Sequence, residues 1–409
     1  MPGTAASRSF WGFPSAAMAD RMLIEARNRT VAVEDGRIAE PQGRYDLVLR
    51  FPEGELRPGL INAHDHLHRN HYGRLGRPPY ESAYAWGRDV EARCSDRIAE
   101  GRGWPRRAAL LAGAWKNLFA GVTTVVHHDP WRAEFESGFP LGVVRIACAD
   151  SIEATSILGL PAGDPFCLHL AEGAGPDAAD EVRTLHAQGL LNRDLIAVHG
   201  VGMDGAASEL FATSGAALVW CPSSNLFLFG RTAPAQLFAG DVDVLLGSDS
   251  LLSGDGDLLD ELRLARTLNL LDDRRLEAAV GDTAARRLRI PPPRLGHGEL
   301  ADLAVFSRPL LEACAADVDL VMVGGAVRVA SPEIGTRLDR AGERGTRKTV
   351  RGVTRWVSAG ELSLPPDDEP NGVGPGLPRG ASAGSSQVQK ENEACLLSER
   401  QAEPSARPH

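Results

Sequence analysis

The chain has 409 residues, 43% hydrophobic and 24% charged, a globular composition with length for two or three ordinary domains or for one barrel with a small companion. Its 44 basic and 54 acidic residues leave a formal charge of −10, which argues against an electrostatic grip on nucleic acid or on an anionic membrane. No run of about 18 apolar residues occurs, so no membrane span is expected.

In chain order, the first twenty residues carry no readable pattern and lack the apolar core of a signal peptide. Thr30–Ile38 then alternates apolar and polar residues around a turn at Asp35-Gly36, and Tyr45–Phe51 reads as another strand. From Leu60 the chain changes to short, nearly all-apolar stretches separated by helical ones, the pattern of a parallel sheet buried on both faces. Strands are predicted at Leu60–Ala63, Val122–His127, Val143–Ala149, Phe166–Leu170, Leu195–Val201, Ala216–Cys221 and Val242–Gly247. A helix beginning near Pro105 places Ala108, Leu111, Ala112, Trp115, Leu118 and Phe119 on one face, and Asp177–Gln188, Gly205–Thr213 and Leu258–Leu271 also read as helices.

Repeated βα units from 58 to 290 predict an α/β protein built on a (β/α)8-type TIM barrel; seven strands are counted, which leaves open a missing or a degraded βα unit. Beyond Pro291–Arg294, the strands Ala301–Phe306 and Asp319–Ala330, the latter turning at Gly324-Gly325, are expected to join the N-terminal strands in a small composite β-sandwich. The expected organisation is 1–57 and 291–345 for the two parts of the sandwich, 58–290 for the barrel, and 359–409 for a disordered tail rich in Gly, Pro, Ser, Glu and Gln. Six scattered cysteines without a CxxC pair fit a reduced cytoplasm.

His64-Asp65-His66 follows the first barrel strand, and strand alternation puts both histidines on one side as a bite for a single metal ion. The triplet alone is weak, because histidines are ordinary polar residues at strand ends. His169, His199 and Asp249 strengthen it, each at the C-terminal end of its own strand, the face where barrels place catalytic groups. Glu172, three residues beyond His169, is placed to move protons beside such an ion. Cys221 lies among apolar residues and reads as a packed thiol.

The ordered set PGLINAHDH (Pro58–His66), GVTTVV (Gly121–Val126), HLAE (His169–Glu172), VHG (Val198–Gly200), CPSSN (Cys221–Asn225) and LGSDS (Leu246–Ser250) resembles the amidohydrolase superfamily, most of all its cytosine deaminase and triazine hydrolase branch. The resemblance runs over roughly residues 28–332 and includes GELADLAVF (Gly298–Phe306). It implies one divalent ion per chain, zinc or alternatively iron, held by His64, His66, His169 and Asp249. It implies that His199 hydrogen-bonds the metal-bound water or the substrate, or acts as a ligand, that Glu172 and Asp249 manage protons, and that Asn225 orients the pocket loop. Two-metal members commonly carry a bridging lysine on a barrel strand. The three lysines here, Lys116, Lys348 and Lys390, lie elsewhere, so a mononuclear site is expected, with Glu153 as a weak alternative bridge.

Two departures stand out. Only about 40 residues separate Val126 from His169, and GVTTVV runs on into His127-His128-Asp129, where an acidic residue alone is commoner. His68, His71, His128, Trp220 and Asn225 are the substrate-binding candidates, while Arg69 and Arg231 are expected at the surface. The expected activity is hydrolysis of a C–N bond, a deamination of a cyclic amidine, amide or nucleobase-like small molecule by a metal-bound hydroxide. The alternatives are another bond, aryl halide or ester-like, or a barrel that binds a ligand without catalysis; a homodimer is left open.

Overall fold

A computed structural model describes residues 21–152 and 163–359. Glu153 and, except for Ala359, the expected tail 359–409 lie outside the described residues.

The described chain is α/β. Arg21–Ala26, Thr30–Glu34, Arg37–Ala39 and Leu47–Phe51 make a four-stranded sheet. A second sheet of six strands takes Glu55–Pro58 from the N-terminal side and pairs it antiparallel with Leu303–Phe306, followed by Val318–Val323, Ala326–Ala330, Val353–Ser358 and Gly345–Val350. The link between the two chain ends is thus Glu55–Pro58, a strand too short and too polar to stand out in sequence. The sheet also runs on to Ser358, past the expected boundary at 345. Both sheets bury side chains in one apolar cluster that includes Ile24, Leu49, Leu56, Leu303, Met322 and Trp356. The two hairpin turns, Asp35-Gly36 and Gly324-Gly325, press against each other. A Cβ on Gly325 would stand 2.3 Å from the Gly36 Cα, and all four turn residues have positive φ, so glycine is required there sterically as well as conformationally.

Between these segments lie the parallel strands β1 (Leu60–Asp65), β2 (Val122–His127), β3 (Gly142–Val143), β4 (Ala147–Ala149), β5 (Phe166–Leu170), β6 (Leu195–His199), β7 (Ala217–Trp220) and β8 (Val244–Leu246). Hydrogen bonds join them in two arcs, β1-β2-β3 and β4-β5-β6-β7-β8. The segment expected as one strand, Val143–Ala149, is broken. Its start pairs with β2 and its end with β5, so one stretch of chain serves both arcs. That is the physical content of the short interval before His169. Parallel neighbours normally need a crossover of a dozen residues, and here the crossover is replaced by a change of partner within eight.

Alternate residues divide between two clusters, as parallel strands buried on both faces require. Ile61, Ala63, Val126, Cys167, Ile196, Val198, Val219 and Leu245 pack on one side, and Val125, Leu168, Leu170, Ala197, Leu218 and Trp220 pack against helices on the other. From Ala108 onward helix α1 (Arg106–Phe119) is buried at every residue but Ala112, so the expected apolar stripe understates it and wrongly includes Ala112. Gly113 lets the helix approach the loop after β1; a Cβ there would lie 2.4 Å from the Leu67 carbonyl oxygen. This close approach brings Lys116 and Asn117 to the underside of the His64-Asp65-His66 strand end.

Candidate metal and catalytic site

Five histidines meet at the C-terminal ends of the strands. Around the His64 ring, those of His66, His128, His169 and His199 stand 4.8–5.6 Å away between centroids. His64 and His66 come from the end of β1, His128 follows β2, His169 lies in β5 and His199 ends β6. Asp249, just beyond β8, places its Oδ1 3.7 Å from His64 Nε2 and 3.9 Å from His66 Nε2. His199 and Asp249 both have positive φ, 74° and 50°. Left-handed backbone is uncommon for non-glycine residues, and it gathers where a side chain must be aimed.

Hydrogen bonds decide which nitrogen of His66, His169 and His199 faces inward. His66 Nδ1 lies 2.6 Å from Asp129 Oδ2, His169 Nδ1 3.1 Å from the Asp150 carbonyl, and His199 Nδ1 2.9 Å from Asn225 Oδ1. Each oxygen can only accept, so each Nδ1 carries the proton and each Nε2 is left as a lone pair. His64 has no hydrogen-bond partner on either nitrogen although it is fully buried. Burial pushes the His64 and His169 imidazoles well below their ordinary value, which keeps them in the neutral form that ligates. Asp249 is fixed by the Ser224 and Ser253 hydroxyls, 2.8 and 3.0 Å from Oδ2, and by the Ser250 N–H, 2.7 Å from Oδ1.

Buried lone pairs without donors are costly, about 1–3 kcal/mol each, and neutral imidazoles with one carboxylate are the donor set of zinc or iron. The residues therefore fit a divalent ion, and the outer partners Asp129, Asp150 and Asn225 are the kind that orient metal-bound imidazoles. Beside the cluster, Glu172 Oε1 sits 3.5 Å from His199 Nε2. Burial raises its carboxyl above the ordinary glutamate value, against the pull of His199.

No family model matches the chain. It is 29% identical over 309 residues to a 5-methylthioadenosine/S-adenosylhomocysteine deaminase of Natronomonas pharaonis, covering 63% of this chain and 71% of that one. Deaminases of the same name from Pyrococcus abyssi and Halobacterium salinarum are 29% and 38% identical over 177 and 135 residues, covering 37% and 30% of this chain. Those matched segments span only 42% and 31% of the two relatives' own length. In fold the chain is similar to a zinc-bound adenosine deaminase of Xanthomonas campestris, at TM-score 0.55 and 20% identity over 78% of this chain and 96% of that one. It is also similar to a zinc-bound atrazine chlorohydrolase of Arthrobacter aurescens, at TM-score 0.60 and 18% identity over 78% and 99%. The chain thus shares its fold with these hydrolases, and its sequence is similar to that of these deaminases.

Of the residues that the sequence resemblance singles out, the structure brings together His64, His66, His169, His199, Asp249 and Glu172, and it adds His128. Asn225 orients His199 itself rather than a loop. His68 stands at the rim, its Nδ1 3.7 Å from Asp129, and burial holds its pKa down at about 3. Two substrate-binding candidates are placed elsewhere. His71 stacks on Trp104 and bonds the Gly101 carbonyl, away from the cluster. Trp220 points to the helix side of its strand, packs on Phe238 and donates to Thr232, because strand alternation gives the inward position to Cys221. Cys221 is a buried thiol, its pKa raised by burial. Arg231 is at the surface, whereas Arg69 pairs with Asp129 at 3.2 Å.

Sequence reasoning missed the support behind the cluster. Asp65, between the two histidines, points the opposite way and takes Lys116 Nζ at 3.0 Å, Asn117 Nδ2 at 2.7 Å and Asn70 Nδ2 at 2.8 Å. Lys116 also donates to the Asp249 carbonyl at 2.7 Å and to Ser248 at 3.1 Å. The signal for Asp129 was in the sequence, an acidic residue straight after a strand end; that for Lys116 was not, since it reads as an ordinary last-turn cation of a helix.

Proposed function

We propose that the protein is a mononuclear metal-dependent hydrolase that deaminates a cyclic amidine carbon, the 6-amino position of a purine nucleoside being the leading candidate. The observation that carries this reading is the set of outward-anchored imidazoles, whose free nitrogens converge beside one carboxylate with Glu172 at their edge. The relatives' names, deaminases of 5-methylthioadenosine and S-adenosylhomocysteine, support the substrate class. The two arcs of parallel strands, with β8 against β1, support a (β/α)8-type barrel whose third and fourth strands share one segment, and the two outer sheets support a composite β-sandwich.

His64, His66, His169 and Asp249 would hold the ion, zinc in preference to iron because the similar structures carry zinc. A divalent ion in that place supplies Lewis acidity and a water of lowered pKa. Asp249, fixed at both oxygens, is the carboxylate that accepts the proton of the attacking water. Glu172, its pKa raised by burial, holds a proton at neutral pH more often than an exposed glutamate and delivers it to the departing amine. His199, with Nδ1 committed to Asn225, presents Nε2 to the substrate side and orients the same amidine. Among the described residues no helix is long and apolar enough to cross a membrane, and the five described cysteines are free thiols, which supports a reduced compartment.

The test is ammonia release from adenosine, 5′-methylthioadenosine and S-adenosylhomocysteine, with pyrimidines and triazines beside them, on zinc-loaded protein. Release from a purine nucleoside supports the proposal. Chloride release from a chlorotriazine without ammonia release from any amine substrate overturns it in favour of halide hydrolysis.

A further inference from the structure

His128 is not among the residues by which the superfamily resemblance assigns the metal, yet it is built into the same point. Its Nε2 lies 3.0 Å from the Ala149 carbonyl oxygen, and a carbonyl can only accept, so the ring carries its proton on Nε2 and keeps a lone pair on Nδ1. The residue is fully buried, and Nδ1 has no hydrogen-bond partner. The ring stacks on His169 at 4.1 Å and meets His64 edge-on at 4.8 Å. One ligand nitrogen from each of His64, His128 and His169 can be chosen so that all three lie within 4.8 Å of one another.

The orienting atoms have one origin. The carbonyl that holds His128 belongs to Ala149, and the carbonyl that holds His169 belongs to Asp150, the next residue. Both stand where β4 leaves the arc of β5, at the end of the segment that replaces a full crossover. Two consecutive carbonyls therefore aim two stacked imidazoles at a common centre, with opposite ring nitrogens anchored. The neighbouring His127 gives the contrast. Strand alternation turns it away, and its Nδ1 accepts the Leu67 N–H at 3.2 Å, so the lone pair is already used.

Building on the metal-centre reading above, we propose that His128 is a protein ligand of the same divalent ion, through Nδ1, so that the centre is held by four imidazoles and Asp249. Such a donor set favours borderline ions such as zinc, iron or nickel over magnesium or manganese. It also gives the departure after GVTTVV a purpose, since a histidine stands where a carboxylate is commoner.

The experiment is a crystal structure of the zinc-loaded full chain, joined to chelator competition for zinc on the wild type and on His128→Phe, which keeps a ring stacked on His169 but has no donor nitrogen. The expected results are His128 Nδ1 at about 2.0–2.2 Å from zinc and a loss of zinc affinity of at least ~10-fold in the variant, with the metal-free variant melting no lower than the metal-free wild type. Should His128→Phe fail to fold, His128→Gln takes its place, with the same expected loss. Zinc bound by His64, His66, His169 and Asp249 with His128 Nδ1 outside coordination distance and affinity unchanged overturns this proposal alone. Failure of the wild type to bind zinc, iron or nickel overturns it together with the metal-centre reading.

Discussion

His64 and Asp65 are adjacent residues of one strand, both fully buried, and their surroundings are opposite. On the His64 side, imidazole nitrogens lack partners; on the Asp65 side, a lysine and two asparagines saturate the carboxylate at 2.7–3.0 Å. One side is left chemically incomplete and the other is closed. The difference teaches how a site that needs free lone pairs is kept in shape: the rigidity sits one residue away, across the strand, where Lys116 ties Asp65 to the backbone of Asp249. Substitutions on the first side should change chemistry and leave the fold, and those on the second should do the reverse.

The largest effect is expected from His64→Ala. Removing a ring that has no partner should take zinc content from about one ion per chain to near zero and abolish ammonia release, read by plasma mass spectrometry and a coupled ammonia assay. The circular dichroism spectrum should match that of the wild type. Glu172→Gln comes next, with turnover lower by about 10²–10⁴-fold and metal content unchanged. A variant that keeps full turnover would remove Glu172 from the proton path.

On the closed side, Lys116→Met strands a buried carboxylate and should lower unfolding free energy by about 3–5 kcal/mol in urea titration. Adding Asp65→Asn to it should recover part of that loss, because no uncompensated charge then remains; a double variant as unstable as the sum of the singles would contradict the pairing.

A pH-dependent effect concerns Glu261, whose carboxyl accepts from the Ser223 N–H at 3.0 Å and from its hydroxyl, and whose pKa burial raises to about 8. The folded state then holds a proton that the unfolded state releases near the ordinary glutamate value, so the wild type loses stability as pH rises from about 4.5 to about 8 and levels off above. Glu261→Gln lacks that loss. Its melting temperature relative to the wild type should climb across this window, and a pH-independent difference would sink the assignment.

Much of the site was legible because its residues sit at strand ends. Each of His64, His66, His169, His199 and Asp249 follows an apolar run, and the run itself announces the strand. Glu172 followed from its spacing to His169. Trp220 and His71 were misplaced for a related reason: proximity to a motif in sequence does not say which face of a strand a residue takes, or whether a loop turns inward. Lys116 was invisible because its partner Ser248 lies 132 residues away. The count of seven parallel strands matches the number of chain segments, whereas the split of the third into β3 and β4 depends on which neighbour each half pairs with.

The sequence by itself determined the parallel α/β character, the two-ended β portion and the residue types brought to the strand ends, because apolar periodicity and chain order are local properties. Only the tertiary structure decided which nitrogen of His66, His128, His169 and His199 is free. That choice rests on Asp129, Ala149, Asp150 and Asn225, acceptors supplied by other segments, and an imidazole has no preferred tautomer until such a neighbour fixes it.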